Sequence, residues 1–183
     1  MYRAQTKVQR HLYQVPIVND TFTIPAGASN YVVKADFSVP LLFDAKAIQI
    51  YPHMHLLGRQ IQVEFTPSGS QTTQPMIYED NWDFRWQGYY TYNNPLTWKA
   101  GSKISLTCTF DNSENNPNNP NNPLVDVSWG ERTKDEMCIA LVGVTFDNEP
   151  LLSPFLMREP FQRIKTLAGP GEPVEKPGPV IGR

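Results

Sequence analysis

Two of the chain's three histidines, His53 and His55, stand one residue apart in Tyr51-Pro52-His53-Met54-His55. The stretch reads as a β-strand, where residues i and i+2 point to one face, so the two imidazoles would lie side by side. Neutral imidazole is the commonest protein metal ligand, and two on rigid backbone make half of a transition-metal site. Candidates for a third donor are His11, Met54, Met76, Met137, Cys108 and Cys138. Met54 alternates to the face opposite the histidines and is expected to pack inward. His11 lies in a polar stretch without pattern, and the cysteines are better paired with each other. Met137 stands out by its surroundings, WGERTKDEMC at 129–138, where Asp135 and Glu136 precede it and Thr133 can form a local turn bond. Two imidazoles and a thioether select copper, because soft sulfur suits Cu(I) and imidazole suits both oxidation states. Three protein ligands would leave a position open for O2 or substrate. Each residue also has a plainer reading. The histidines can be hydrogen-bonded rim residues, Met137 a core residue, Asp135 and Glu136 a solvated turn, and Trp82, Trp86 and Trp129 core or rim aromatics.

The elements that must hold these residues read as strands. Alternating or apolar runs cover 15–24, 30–39, 45–52, 60–65, 75–79, 82–92, 102–110, 124–129 and 136–146, with turn signals between them. Regularly spaced short strands predict an all-β fold, an antiparallel β-sandwich of jelly-roll type with about eight or nine strands. His53 and His55 should share one strand, with Met137 on a neighbouring strand or turn. The low-complexity stretch DNSENNPNNPNNP at 111–123 is expected to be an exposed loop. The tail from Gly169 is rich in proline and glycine and is expected to be extended or disordered. The organisation expected is an N-terminal segment 1–14, a sandwich domain 15–150 and a C-terminal extension 151–183.

Composition narrows the function. With 183 residues, 40% of them apolar, the chain can bury one sizeable core. A formal net charge of −2 leaves no electrostatic footprint for nucleic acid. No apolar run is long enough to span a membrane as a helix, and the first thirty residues show no signal-like stretch. Cys108 and Cys138 fit no CxxC motif, and an even count permits either one disulfide or two separate buried thiols. A disulfide would favour an oxidising, extracytoplasmic compartment, periplasmic or secreted.

Taken together, HMHLLGR at 53–59, a Trp86-Gln87 strand, CTFDNSENNPNNP at 108–120 and WGERTKDEMC at 129–138 resemble the C-terminal domain of copper type II, ascorbate-dependent monooxygenases, in a form closer to a bacterial branch. The animal members include peptidylglycine α-hydroxylating and dopamine β-monooxygenases. The resemblance spans about residues 15–148 and implies one copper per chain, held by His53, His55 and Met137, and a disulfide between Cys108 and Cys138. It also implies O2 activation for C–H hydroxylation of an organic substrate. Electrons would come from ascorbate or a similar donor through a second, three-histidine copper site, which His11 alone cannot build here. Another domain or partner protein would have to supply it. Peptide-processing members anchor a substrate carboxylate through an Arg two residues before the first His and a Tyr four residues after the Met. Those positions are Tyr51 and Leu141 here, so a C-terminal glycine peptide is not the expected substrate.

Two other functions fit the same residues. A non-catalytic copper-binding or copper-handling module would hold Cu(I) without ascorbate-driven O2 consumption. An interaction sandwich with incidental metal occupancy would tolerate loss of both histidines.

Overall fold

The computed structural model describes residue 8 and residues 10–40 and 44–147. The extension 151–183, with its Pro/Gly-rich tail, lies outside the described residues. Among the described residues there is no helix. The strands are β1 (Tyr13–Asn19), β2 (Thr23–Ile24), β3 (Tyr31–Ser38), β4 (Ala45–His53), β5 (Gly58–Thr66), β6 (Gln74–Glu79), β7 (Tyr90–Trp98), β8 (Lys103–Phe110), β9 (Val127–Ser128) and β10 (Cys138–Thr145). Two four-stranded antiparallel sheets, β1-β10-β4-β7 and β3-β8-β5-β6, form a sandwich, with β2-β9 as a small clip.

Alternation builds the core. Val33, Ala35 and Phe37 of β3, Ile104, Leu106 and Phe110 of β8, and Ile61, Val63 and Phe65 of β5 turn inward from one sheet. Ile17 of β1, Ile50 of β4 and Ala140, Val142 and Val144 of β10 meet them from the other. The two sheets are also joined covalently. Cys108 of β8 is disulfide-bonded to Cys138 at the start of β10, with the Cα atoms 5.9 Å apart and both residues fully buried. The reading as two separate thiols is therefore excluded.

Four local expectations are corrected. The run 15–24 breaks after Asn19, whose side-chain oxygen accepts from the Thr21 N–H at 3.0 Å and hydroxyl at 3.1 Å, turning the chain between β1 and β2. The run 124–129 shrinks to the two residues of β9. Of the run 82–92, only 90–92 lie in a strand: β6 ends at Glu79 and β7 begins at Tyr90, with a loop between them. The Asn-Pro segment is only partly exposed, because Asp111, Asn112, Ser113 and Asn116 are buried. The Asn112 amide nitrogen donates towards the carbonyls of Ile24 (3.2 Å), Pro25 (3.1 Å) and Val125 (2.9 Å). Polar side chains thus enter the interior because they satisfy backbone carbonyls that would otherwise be orphaned there.

Strand β7 was hidden from sequence patterning by Asn93-Asn94-Pro95. It pairs with β4 through Leu96–Trp98 and again through Tyr90–Thr91, and the pairing register shifts between them. Residues 92–95 bulge from the ladder, where the missing N–H of Pro95 costs nothing.

Candidate metal centre

His53 is the last residue of β4, and His55 follows just beyond the strand. Their ring centroids are 5.0 Å apart at an interplanar angle of 84°. Pro52 and Met54 take the alternate, buried positions, so Met54 packs inward as the strand period requires. Strand β10 runs beside β4, with Ile139 opposite His53 and Leu141 opposite Tyr51.

Each ring is held through Nδ1. The Gln87 amide nitrogen donates to the Phe84 carbonyl at 2.6 Å, which turns Oε1 of Gln87 towards the histidines. That oxygen can only accept, and it takes the Tyr51 hydroxyl at 3.1 Å and His53 Nδ1 at 2.6 Å. His55 Nδ1 lies 2.9 Å from the Asp135 carbonyl, another pure acceptor. Both Nδ1 atoms therefore act as donors, and in the neutral rings both Nε2 atoms keep their lone pairs, one of the two tautomers through which histidine binds metals. Burial, with a smaller contribution from His55, lowers the His53 pKa below its ordinary value, while the bond to Gln87 partly opposes that.

The loop expected to be a strand wraps this pair instead. The Trp82 indole N–H donates to the His55 carbonyl at 3.0 Å. Phe84 meets the His55 ring edge-on with centroids 5.6 Å apart, and Tyr89 packs on Tyr51 at 4.8 Å. Trp82 is buried and Trp129 partly so, but Trp86 is 78% exposed. Gly58 makes the Trp82 contact possible, since a Cβ there would come within 2.7 Å of Trp82 Cδ1 and 2.9 Å of Met54 Cε. Gly58→Ala is expected to cost about 1–3 kcal/mol through overpacking, read as a lower urea midpoint with an unchanged m-value.

Asp135 and Glu136 are not a simple solvated turn. The Asp135 carboxylate does close a turn, gripped by Arg132 at 2.8–3.2 Å. Glu136 is fully buried. Its Oε1 accepts the Leu57 N–H at 2.6 Å, and its Oε2 accepts the N–H groups of His55 (2.9 Å) and Met137 (3.2 Å). Burial pushes its carboxyl up to about 8, against the three backbone donors that pull it down. All three partners are N–H donors, a set that fits the ionised form. One carboxylate thus ties the chain on both sides of His55 to the start of β10. Sequence reading missed this residue, yet a signal was present. Glu136 shares the two-residue phase of inward-facing Cys138, Ala140 and Val142.

Of the third-donor candidates, Met54 and Met76 are in the core, and both cysteines are in the disulfide. His11 is exposed and precedes Tyr13, which pairs with Val144 at the opposite end of β10 from Cys138. Met137 is half-buried in the turn just before β10, and its backbone N–H shares Glu136 Oε2 with that of His55. Among the described residues, no three His, Cys, Asp or Glu side chains are grouped to hold a metal ion.

A search of curated proteins gives no match. The family model described as copper type II ascorbate-dependent monooxygenase, C-terminal domain, matches residues 16–144. That span runs from β1 into β10 and takes in the histidine pair, the loop around it and the Glu136 knot. Well over half of the 183 residues being covered, the chain belongs to the copper type II ascorbate-dependent monooxygenase C-terminal domain family.

Proposed function

We propose that His53, His55 and Met137 hold one copper ion and that the chain is the oxygen-activating module of a copper monooxygenase. The observation that carries this reading is the pair of neighbouring imidazoles, each with its Nδ1 engaged by an oxygen acceptor, which leaves Nε2 as the nitrogen to offer a metal. The donor chemistry fits copper. With no third His, Cys, Asp or Glu grouped beside the pair among the described residues, Met137 is the candidate whose backbone meets that of His55 on Glu136 Oε2, and its thioether would complete the donor set. When bound, copper would supply O2 activation for hydroxylating a substrate C–H bond, with electrons from ascorbate or a similar donor through a second copper domain.

The protein's own residues set the geometry. Gln87 and the Asp135 carbonyl orient the rings, and Glu136 locks the His55 and Met137 backbones together. Phe84 and Trp82 shield one side of His55. The disulfide favours an extracytoplasmic location, and no helix among the described residues is long and apolar enough to cross a membrane.

Competition of the full chain against a Cu(I) chelator is the test. One copper per chain is expected. His53→Ala and His55→Ala should each weaken binding by at least about 100-fold, and Met137→Leu by about 10-fold. Unchanged affinity in both histidine variants would sink the reading. Ascorbate-driven oxygen uptake above that of the His53→Ala chain separates an oxygenase from a copper carrier.

A further inference from the structure

A cleft of about 470 Å³ opens between the segment 121–129, which carries β9, and the turn 132–135 that precedes β10. That volume lies within the range of small-molecule sites. His53, His55 and Met137 do not line it. Asp135 separates the two places: its carbonyl meets His55 Nδ1, and its carboxylate is taken up by Arg132.

Trp129 and Val125 form the apolar part of the wall. Trp129 is anchored to the interior, its ring meeting Phe22 at 6.4 Å and 83°, and Phe22 stacks on Phe110 at 5.5 Å. The polar part has unmet hydrogen-bonding capacity. Asn121 Nδ2 is buried without an acceptor, although the Asn121 backbone is fixed by its N–H donating to Asn119 Oδ1 at 3.0 Å. Lys134 has no ion-pair partner among the described residues. Asp126 gives one oxygen to the Ala26 N–H at 2.8 Å, and its other oxygen has no donor among the described residues. A buried donor left unpaired costs about 1–3 kcal/mol, so a ligand that draws the amide outward and accepts from it recovers that cost.

The charges of the wall cancel. Arg132 is bound to Asp135, and Lys134 and Asp126 are of opposite sign. An ion of either sign would lose hydration and meet a like charge together with an opposite one. The wall instead suits a neutral molecule whose oxygens both accept and donate, with C–H surface for the indole. A pyranose has both, hydroxyls around its rim and C–H groups on its ring faces. We propose that this cleft binds a neutral pyranose sugar, its hydroxyls among Asn121, Lys134 and Asp126 and a C–H face on Trp129. The site is independent of copper.

Ligand NMR on the full chain tests it with the methyl glycosides of glucose, galactose and mannose. At least one should saturate, and more tightly than the uronate and the 2-amino sugar of the same configuration. Asn121→Ala should weaken it by at least about fivefold while keeping the wild-type urea midpoint and Cu(I) affinity. Lys134→Ala, a truncation at an exposed position, should weaken it by at least about threefold and carries the test should the Asn121 variant unfold. His53→Ala should leave glycoside binding unchanged. Saturation by none of the three glycosides, equal or tighter binding of a charged analogue, full affinity in both cleft variants, or loss of binding in His53→Ala overturns the proposal.

Discussion

Glu136→Ala is expected to destabilise the fold by about 3–5 kcal/mol, more than any other single side-chain truncation near the histidines. The substitution leaves the N–H groups of Leu57, His55 and Met137 without their acceptor in a dry interior. Each orphaned donor costs about 1–3 kcal/mol, and relief of the carboxylate's own desolvation returns part of the sum. Glu136→Gln keeps one oxygen but turns an NH2 towards a donor, so about 2–3 kcal/mol is expected from it. Urea unfolding followed by circular dichroism measures both. Because the carboxylate joins the backbones of His55 and Met137, copper affinity should fall even under conditions where the variant remains folded. A loss below about 1 kcal/mol for the alanine variant would show that water replaces the carboxylate, and the lock would then be dispensable.

Removing the inter-sheet disulfide comes next in size. The bond closes a stretch with a sequence separation of 30, and the chain-entropy model assigns about 3–4 kcal/mol to such a loop. The Cys108→Ala/Cys138→Ala double variant is the cleaner comparison, since it leaves no thiol to exchange. Its urea midpoint should match that of the reduced wild type and lie well below that of the oxidised chain. Met137 adjoins Cys138 in sequence, so losing this staple should also weaken Cu(I) binding. A double variant as stable as the oxidised protein would mean that the fully buried contacts of β8 and β10 hold the sheets together unaided.

Much of the scaffold was legible because the strand period is simple. Val33, Ala35 and Phe37, like Ile104, Leu106, Cys108 and Phe110, alternate so regularly that their inward face could be read directly. The same period put His53 and His55 on one side and Met54 on the other. What escaped was non-local. The aromatics of 82–89 resemble a strand, but they pack on partners from β4 and its following turn rather than pair with a strand. Gln87 is turned by the Phe84 carbonyl of its own loop, but the groups it holds, the His53 imidazole and the Tyr51 hydroxyl, lie far off in sequence. Glu136 sits in a run of charged residues, and only the phase of β10 distinguishes it from its solvated neighbours. Asn112 belongs to a low-complexity stretch, and its burial depends on three carbonyls contributed by two other segments.

The bulged strand β7 bears on how chains of this kind could associate. It is the outer member of the sheet that carries the histidines. Between Thr91 and Leu96 it offers a newcomer an interrupted row of donors and acceptors, further reduced by proline. Another molecule cannot extend this sheet in register past the metal site from that side. Self-assembly into continuous ribbons is thereby discouraged along that edge.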